Sequence, residues 1–255
     1  MKIQLQPIYQ RITLLLALII TLTLAACGGT TSPQTGQATA TPTTPAKSQP
    51  TQPVSGQQLL TGSVTYVALG ASDAVGVGTN QPGSQGYVPL LAQKLPKDSH
   101  LINLGVSGIH LHEALSEELP LALSTNPRLI TIWLVANDFI ANVSYSSYMK
   151  DLTTLLTSLR SSTHARIVMA NLPNLTLLPI FARFSKQQKA TILATILHWN
   201  ASIASIAGRY NVSIVDLMSQ ASLLTSHPEY ISGDGFHPSA AGYVQLANLF
   251  WEEIQ

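Results

Sequence analysis

From Val64 onward the sequence predicts an α/β domain: a three-layer α/β/α sandwich around a central, mainly parallel five-stranded sheet. Two observations predict it. Short apolar runs alternate with longer stretches of helical periodicity, the order in which a parallel sheet is covered by helices on both faces. The chain has 255 residues, 45% apolar and 10% charged, which is enough to fill one such core and tight for two.

The strands read as residues 64–69, 101–104, 129–135, 167–170 and 212–215. The clearest helix starts at Ser185, whose hydroxyl can cap while Gln188 reaches back. Ile192, Ile196, Trp199, Ile203 and Ile206 then recur at spacings of four, three, four and three before Gly208, a stripe that belongs to the core. The last helix starts near Ser239, behind Pro238, and runs to the C-terminus. Residues 172–181 are apolar, hold two prolines and show no period. They either pack over the sheet, wall an acyl pocket or lean on a membrane.

Ahead of this domain the composition changes. Lys2 and Arg11 precede an apolar run over residues 12–24 that ends in Leu24-Ala25-Ala26-Cys27. The run is short for a bilayer span of roughly 20 residues, and small residues close it, so residues 1–26 read as a signal peptide. Leu-Ala-Ala-Cys resembles the lipobox of bacterial lipoproteins. That resemblance implies that Cys27 carries a diacylglycerol, becomes the first mature residue and anchors the chain at the extracytoplasmic face of the cell membrane. Cys27 is the single cysteine, which excludes an intramolecular disulfide and a cysteine zinc site. Residues 27–63 hold one charge, Lys47, among Thr, Pro, Gln, Ser and Gly, and read as a disordered tether with a mean reach of roughly 30 to 35 Å. The formal charge is +1, and loss of Lys2 and Arg11 with the signal makes it −1. That balance argues against nucleic-acid partners and against polybasic attachment to lipid.

In an open parallel sheet, chemistry sits where the chain leaves the carboxyl ends of the strands, so each exit is informative. The first reads Gly70-Ala71-Ser72-Asp73. A serine there either caps a helix or raises its hydroxyl above the sheet edge with its own N–H facing an anion. The second exit carries Gly105 and Gly108, and the third carries Asn137 and Asp138. Glycine admits close backbone approach, and an asparagine amide can donate to a developing oxyanion. The last exit is Gly233-Asp234-Gly235-Phe236-His237-Pro238. Three residues apart in one turn, Asp234 can hold one imidazole nitrogen of His237 and leave the other for a serine, or His237 is a pre-helical turn residue.

Taken together, Ser72, Gly108, Asn137 and the Asp234/His237 pair resemble the four blocks of the SGNH hydrolases, also called the GDSL esterase/lipase family, over roughly residues 64–255. The resemblance implies Ser72 as nucleophile, His237 as general base, Asp234 as its orienter, and an oxyanion hole of the Ser72 N–H, the Gly108 N–H and the Asn137 amide. No cofactor and no metal are implied. Two positions depart from the pattern. Ala71 and Asp73 move a carboxylate from before the serine to after it, which alters the field there, and Val135 adds bulk beside Asn137 where a glycine is usual. An α/β-hydrolase of the lipase type fits less well, because Ala74 stands where its serine elbow needs glycine. The implied activity is cleavage of a carboxylic ester, on a small molecule or a glycan. The alternatives are an O-acetylesterase or acyltransferase on polysaccharide or cell wall, and an inactive binding module on the same fold. His110 and His112 alternate after the glycine block, with Glu113 as the nearest further ligand type, and are expected to bind no metal.

Overall fold

The structure, a computed structural model, describes residue 60 and residues 62–255. The expected signal peptide, the expected lipidation site Cys27 and nearly all of the expected tether lie outside the described residues.

Five strands, β1 (Thr65–Gly70), β2 (His100–Asn103), β3 (Leu129–Trp133), β4 (Arg166–Ala170) and β5 (Ser213–Val215), form one sheet in the order β2-β1-β3-β4-β5, with every pair parallel. Among the described residues the helices are α1 (Ser72–Val75), α2 (Pro82–Gln85), α3 (Tyr87–Ala92), α4 (Leu111–Glu117), α5 (Leu119–Ser124), α6 (Ala136–Ile140), α7 (Tyr145–Ser162), α8 (Lys186–Arg209), α9 (Ala221–Ser226) and α10 (Ala240–Ile254). This is the three-layer α/β/α sandwich that the alternation predicts. The chain steps from β1 out to β2, then crosses back to β3 and on to β4, so the connections after β1 and β3 run to opposite sides. A crevice opens between the carboxyl ends of these two strands.

The crossover connections carry the helices that cover the sheet. On one face α3 packs on α10, which covers β4 and β5. On the other, α4, α5 and α7 pack together, and α7 meets α8. Tyr87 of α3 stacks on Phe250 of α10 at 5.0 Å and meets Trp133 edge-on at 6.3 Å. In the opposite layer Trp199 of α8 lies 4.9 Å from Tyr148 of α7. β3 is buried along its length, as a central parallel strand must be, whereas the edge strand β2 leaves Leu101 exposed.

The capping box at the start of α8 forms as expected: Gln188 N–H donates to Ser185 Oγ at 3.2 Å, and Ser185 N–H to Gln188 Oε1 at 2.9 Å. All five residues of the apolar stripe behind it are buried. The third apolar run, expected to remain strand to residue 135, leaves the sheet at Trp133. Leu134 and Val135 are as buried as strand residues. Their burial comes from walling the crevice, and Val135 caps α6 with φ −138° and ψ −32°. Within residues 172–181 two short 3₁₀ turns form, with Leu175, Leu178 and Phe181 buried and Leu177 and Ile180 exposed, and the first turn packs on α8 and α9.

Candidate active site

β1 ends at Gly70, the chain turns at Ala71, and Ser72 opens the single turn α1 at the mouth of the crevice. Ser72 is buried, yet its Oγ meets His237 Nε2 at 2.9 Å. His237 Nδ1 stands 2.6 Å from Asp234 Oδ2. The other carboxylate oxygen, Asp234 Oδ1, accepts from the Ser232 hydroxyl at 2.8 Å, the Phe236 N–H at 2.8 Å and the His237 N–H at 2.9 Å. Partial burial works to raise the Asp234 pKa, but the bond from the imidazole and these three donors outweigh it and hold the carboxyl at about 2. An ionised carboxylate can only accept, so Nδ1 carries the imidazole proton. Nε2 then offers its lone pair to the serine hydroxyl.

Sequence places His237 and Ser72 165 positions apart, and local packing brings them together. The turn holding Asp234 is closed by Ser232 N–H to His237 O at 2.8 Å and by Ser239 N–H to Tyr230 O at 2.8 Å. Ser239 then caps α10 by accepting from Gly242 N–H at 3.2 Å. The loop after α1 passes against this turn at Gly78, whose φ is +98°, and a side chain there would collide with Pro238 O. Glycine alone allows the two loops to touch. Tyr243 of α10 donates to Val77 O at 2.7 Å and pins the same loop.

The opposite wall comes from the β2 and β3 exits. Asn137, on α6, donates through Nδ2 to Ile109 O at 2.9 Å, which ties it to the loop holding Gly108. Gly108 has φ +84°, and among the described residues neither its N–H nor that of Ser72 meets a protein acceptor. Ala71, Asp73, Ile109, Val135 and Asn137 line one narrow cleft. Ser72, His237 and Asp234 thus form one hydrogen-bonded row, with Asn137 and the Gly108 loop tied to each other across the cleft. Cys27 lies outside the described residues.

Two supporting residues, Glu118 and Asn103, carry no signal that sequence reading could assign. Glu118 Oε2 accepts the Gly70 N–H at 3.1 Å, and Oε1 is buried without a partner. Burial pushes its carboxyl up to about 8, against the N–H groups of Gly70 and Val106. One side chain therefore braces the end of β1, although a Glu at a helix end reads as surface charge. Asn103 donates to Ala74 O at 2.7 Å and accepts the Gly105 N–H at 3.1 Å, joining α1 to the glycine loop. Asp138 Oδ2 accepts the Leu111 N–H at 3.0 Å and so fixes its loop, the role its position suggests. Asp73 is buried beside the row: desolvation raises its carboxyl, the nearby His237 pulls it down, and it settles at about 6. His110 caps α4 together with Glu113, and His112 pairs with Asp151 at 3.1 Å. Among the described residues no three His, Cys, Asp or Glu side chains cluster as metal ligands.

A parallel α/β/α sandwich with a hydrogen-bonded Ser-His-Asp row at the carboxyl edge of its sheet has an arrangement that serine hydrolases share. The chain belongs to the GDSL-like lipase/acylhydrolase family, whose pattern matches residues 63–245. No curated protein matches it. Its fold is similar to that of the acetylxylan esterase Axe2 from Geobacillus stearothermophilus, at 20% identity and TM-score 0.61 over 77% of this chain and 96% of that one. It is also similar to TesA, at 21% identity and TM-score 0.59 over 75% and 98% of the two chains. A third similar fold is that of the psychrotrophic esterase EstA from Pseudoalteromonas sp., at 19% identity and TM-score 0.56 over 74% and 96%. At these identities the likeness speaks for the fold alone.

Proposed function

We propose that the chain is a serine ester hydrolase held at the extracytoplasmic face of the cell membrane by a lipid on Cys27, with Ser72, His237 and Asp234 as its catalytic row. The observation that carries the reading is the pair of bonds at 2.9 and 2.6 Å that links a buried serine to an imidazole and the imidazole to an ionised carboxylate. A neutral hydroxyl is a poor nucleophile, and this geometry supplies the base it lacks. Ser72 Oγ attacks the ester carbonyl carbon while its proton passes to His237 Nε2. The carbonyl π pair moves onto oxygen, where the Ser72 N–H, the Gly108 N–H and the second Asn137 amide hydrogen receive it. Asp234 steadies the imidazolium. As the tetrahedral adduct collapses, the carbon–oxygen bond to the alcohol breaks and the alcohol takes the proton from Nε2. Water then attacks the acyl-serine by the same route, giving the acid and regenerating Ser72.

The anchor rests on the Leu24-to-Cys27 motif and the uncharged tether behind it. A second reading, removal of O-acetyl groups from a glycan, is favoured by the acetylxylan esterases among the similar folds. One set of assays tests both: turnover of small aryl esters and of acetylated xylan by the native chain, by Ser72→Ala, by His237→Ala and by the double variant. Each single change should remove nearly all turnover, and the double should cost little more than either, because the residues act as a unit. Turnover largely surviving in Ser72→Ala would overturn the row. Activity on xylan without activity on aryl esters would favour the glycan reading.

A further inference from the structure

Behind the catalytic turn lies an apolar cavity of about 100 Å³. It adjoins the row at three points: Asp73 follows Ser72, Ala136 precedes Asn137, and Phe236 and Pro238 flank His237, and all four line it. Its far walls are aliphatic, from Leu175 and Leu178 of the segment after β4, Leu217 after β5, Leu224 of α9, and Leu246 and Leu249 of α10. No residue of α9 is buried although Leu223 and Leu224 face the cavity, so the outer wall is one helix thick. Asp73 is the charged side chain of the lining, and it stands at the end next to the nucleophile. Residues adjoining the row at one end and aliphatic walls at the other match a carboxyl ester whose carbonyl sits at Ser72 and whose hydrocarbon points inward.

We propose that this cavity is the acyl pocket and that it takes a linear acyl chain of about four to six carbons, since an apolar cavity of about 150 Å³ holds a benzene ring. The inference rests on the ester-hydrolase reading of Ser72 and specifies which half of the ester is bound and how long it is. The alcohol half leaves toward solvent. Each methylene that enters apolar surroundings favours the bound state about fourfold, so the pocket should set a steep length preference that stops where the space ends.

The test is kcat/KM for p-nitrophenyl acetate, butanoate, hexanoate and decanoate, with Leu224→Trp and Leu246→Phe as cavity-filling variants and thermal melting to verify folding. Leu224 is half-buried on the outer wall, so Leu224→Trp keeps the test open if the core variant Leu246→Phe fails to fold. In the native chain kcat/KM should rise at least tenfold from acetate to hexanoate and fall again at decanoate. Filling the cavity should lower the hexanoate-to-acetate ratio at least tenfold. A native preference for acetate, a continued rise to decanoate, or variants that leave the ratio unchanged would each overturn the pocket while leaving the hydrolase reading intact. No turnover of any ester, equal to that of Ser72→Ala, would overturn both.

Discussion

At the level of single residues, the site departs from its family where a buried carboxylate stands beside the nucleophile. Asp73 has its pKa raised from 3.8 to about 6 by burial, so the folded chain holds that proton more tightly than the unfolded chain does. Its contribution to stability is complete below about pH 4 and is lost as pH rises to about 6. Asp73→Asn should therefore gain stability relative to the native chain across that window, by up to about 3 kcal/mol, and the gain should level off above it. Urea unfolding at pH 4, 5, 6 and 7.5 reads the difference directly, and a gain independent of pH would contradict the assignment. Asn137 is the other informative residue. One of its amide hydrogens is committed to Ile109 O, and the second is proposed to meet the oxyanion. Asn137→Ala should lower kcat about a hundred- to a thousandfold, the usual effect of losing one oxyanion donor, with stability little changed. A loss confined to KM would remove it from that role.

At the level of elements, legibility followed the range of the contact. Ser185 and Gln188 lie three residues apart and were readable as a cap, and so were Asp234 and His237 in their single turn. β3 ends two residues before its apolar run does, because Leu134 and Val135 are buried by the crevice rather than by strand pairing, and apolar residues look alike in both settings. Glu118 was unreadable because its bond to Gly70 spans 48 positions and depends on the fold being complete. The same distinction separates two variants. Ser185→Ala removes a local cap far from the site and should cost about 1 kcal/mol, or roughly 2–4 °C in melting temperature, without changing kcat. Gly78→Ala forces a side chain into the contact with Pro238 and strains a backbone at φ +98°. It should displace His237 and lower kcat at least tenfold, because a shift of about 1 Å at a reacting group is that costly. Melting curves and steady-state kinetics on both variants give the comparison, and equal effects on kcat would contradict it.

For the whole molecule, four segments from different strands have to meet at one sheet edge, and the β2-β1-β3-β4-β5 order is what makes them meet. The proposed anchor adds a second layer of organisation. Changing Cys27 to Ala should move the protein from the membrane to the soluble fraction or stall its processing, whereas unchanged fractionation would refute lipid attachment. The central claim, that the four exits form one hydrolytic site, is tested most directly by covalent labelling. A p-nitrophenyl alkylphosphonate should add one phosphonyl group per chain, found on Ser72 by peptide mass spectrometry, and His237→Ala should abolish that label because the base is gone. Full labelling of Ser72 in His237→Ala, or a label on any other residue of the native chain, would contradict it.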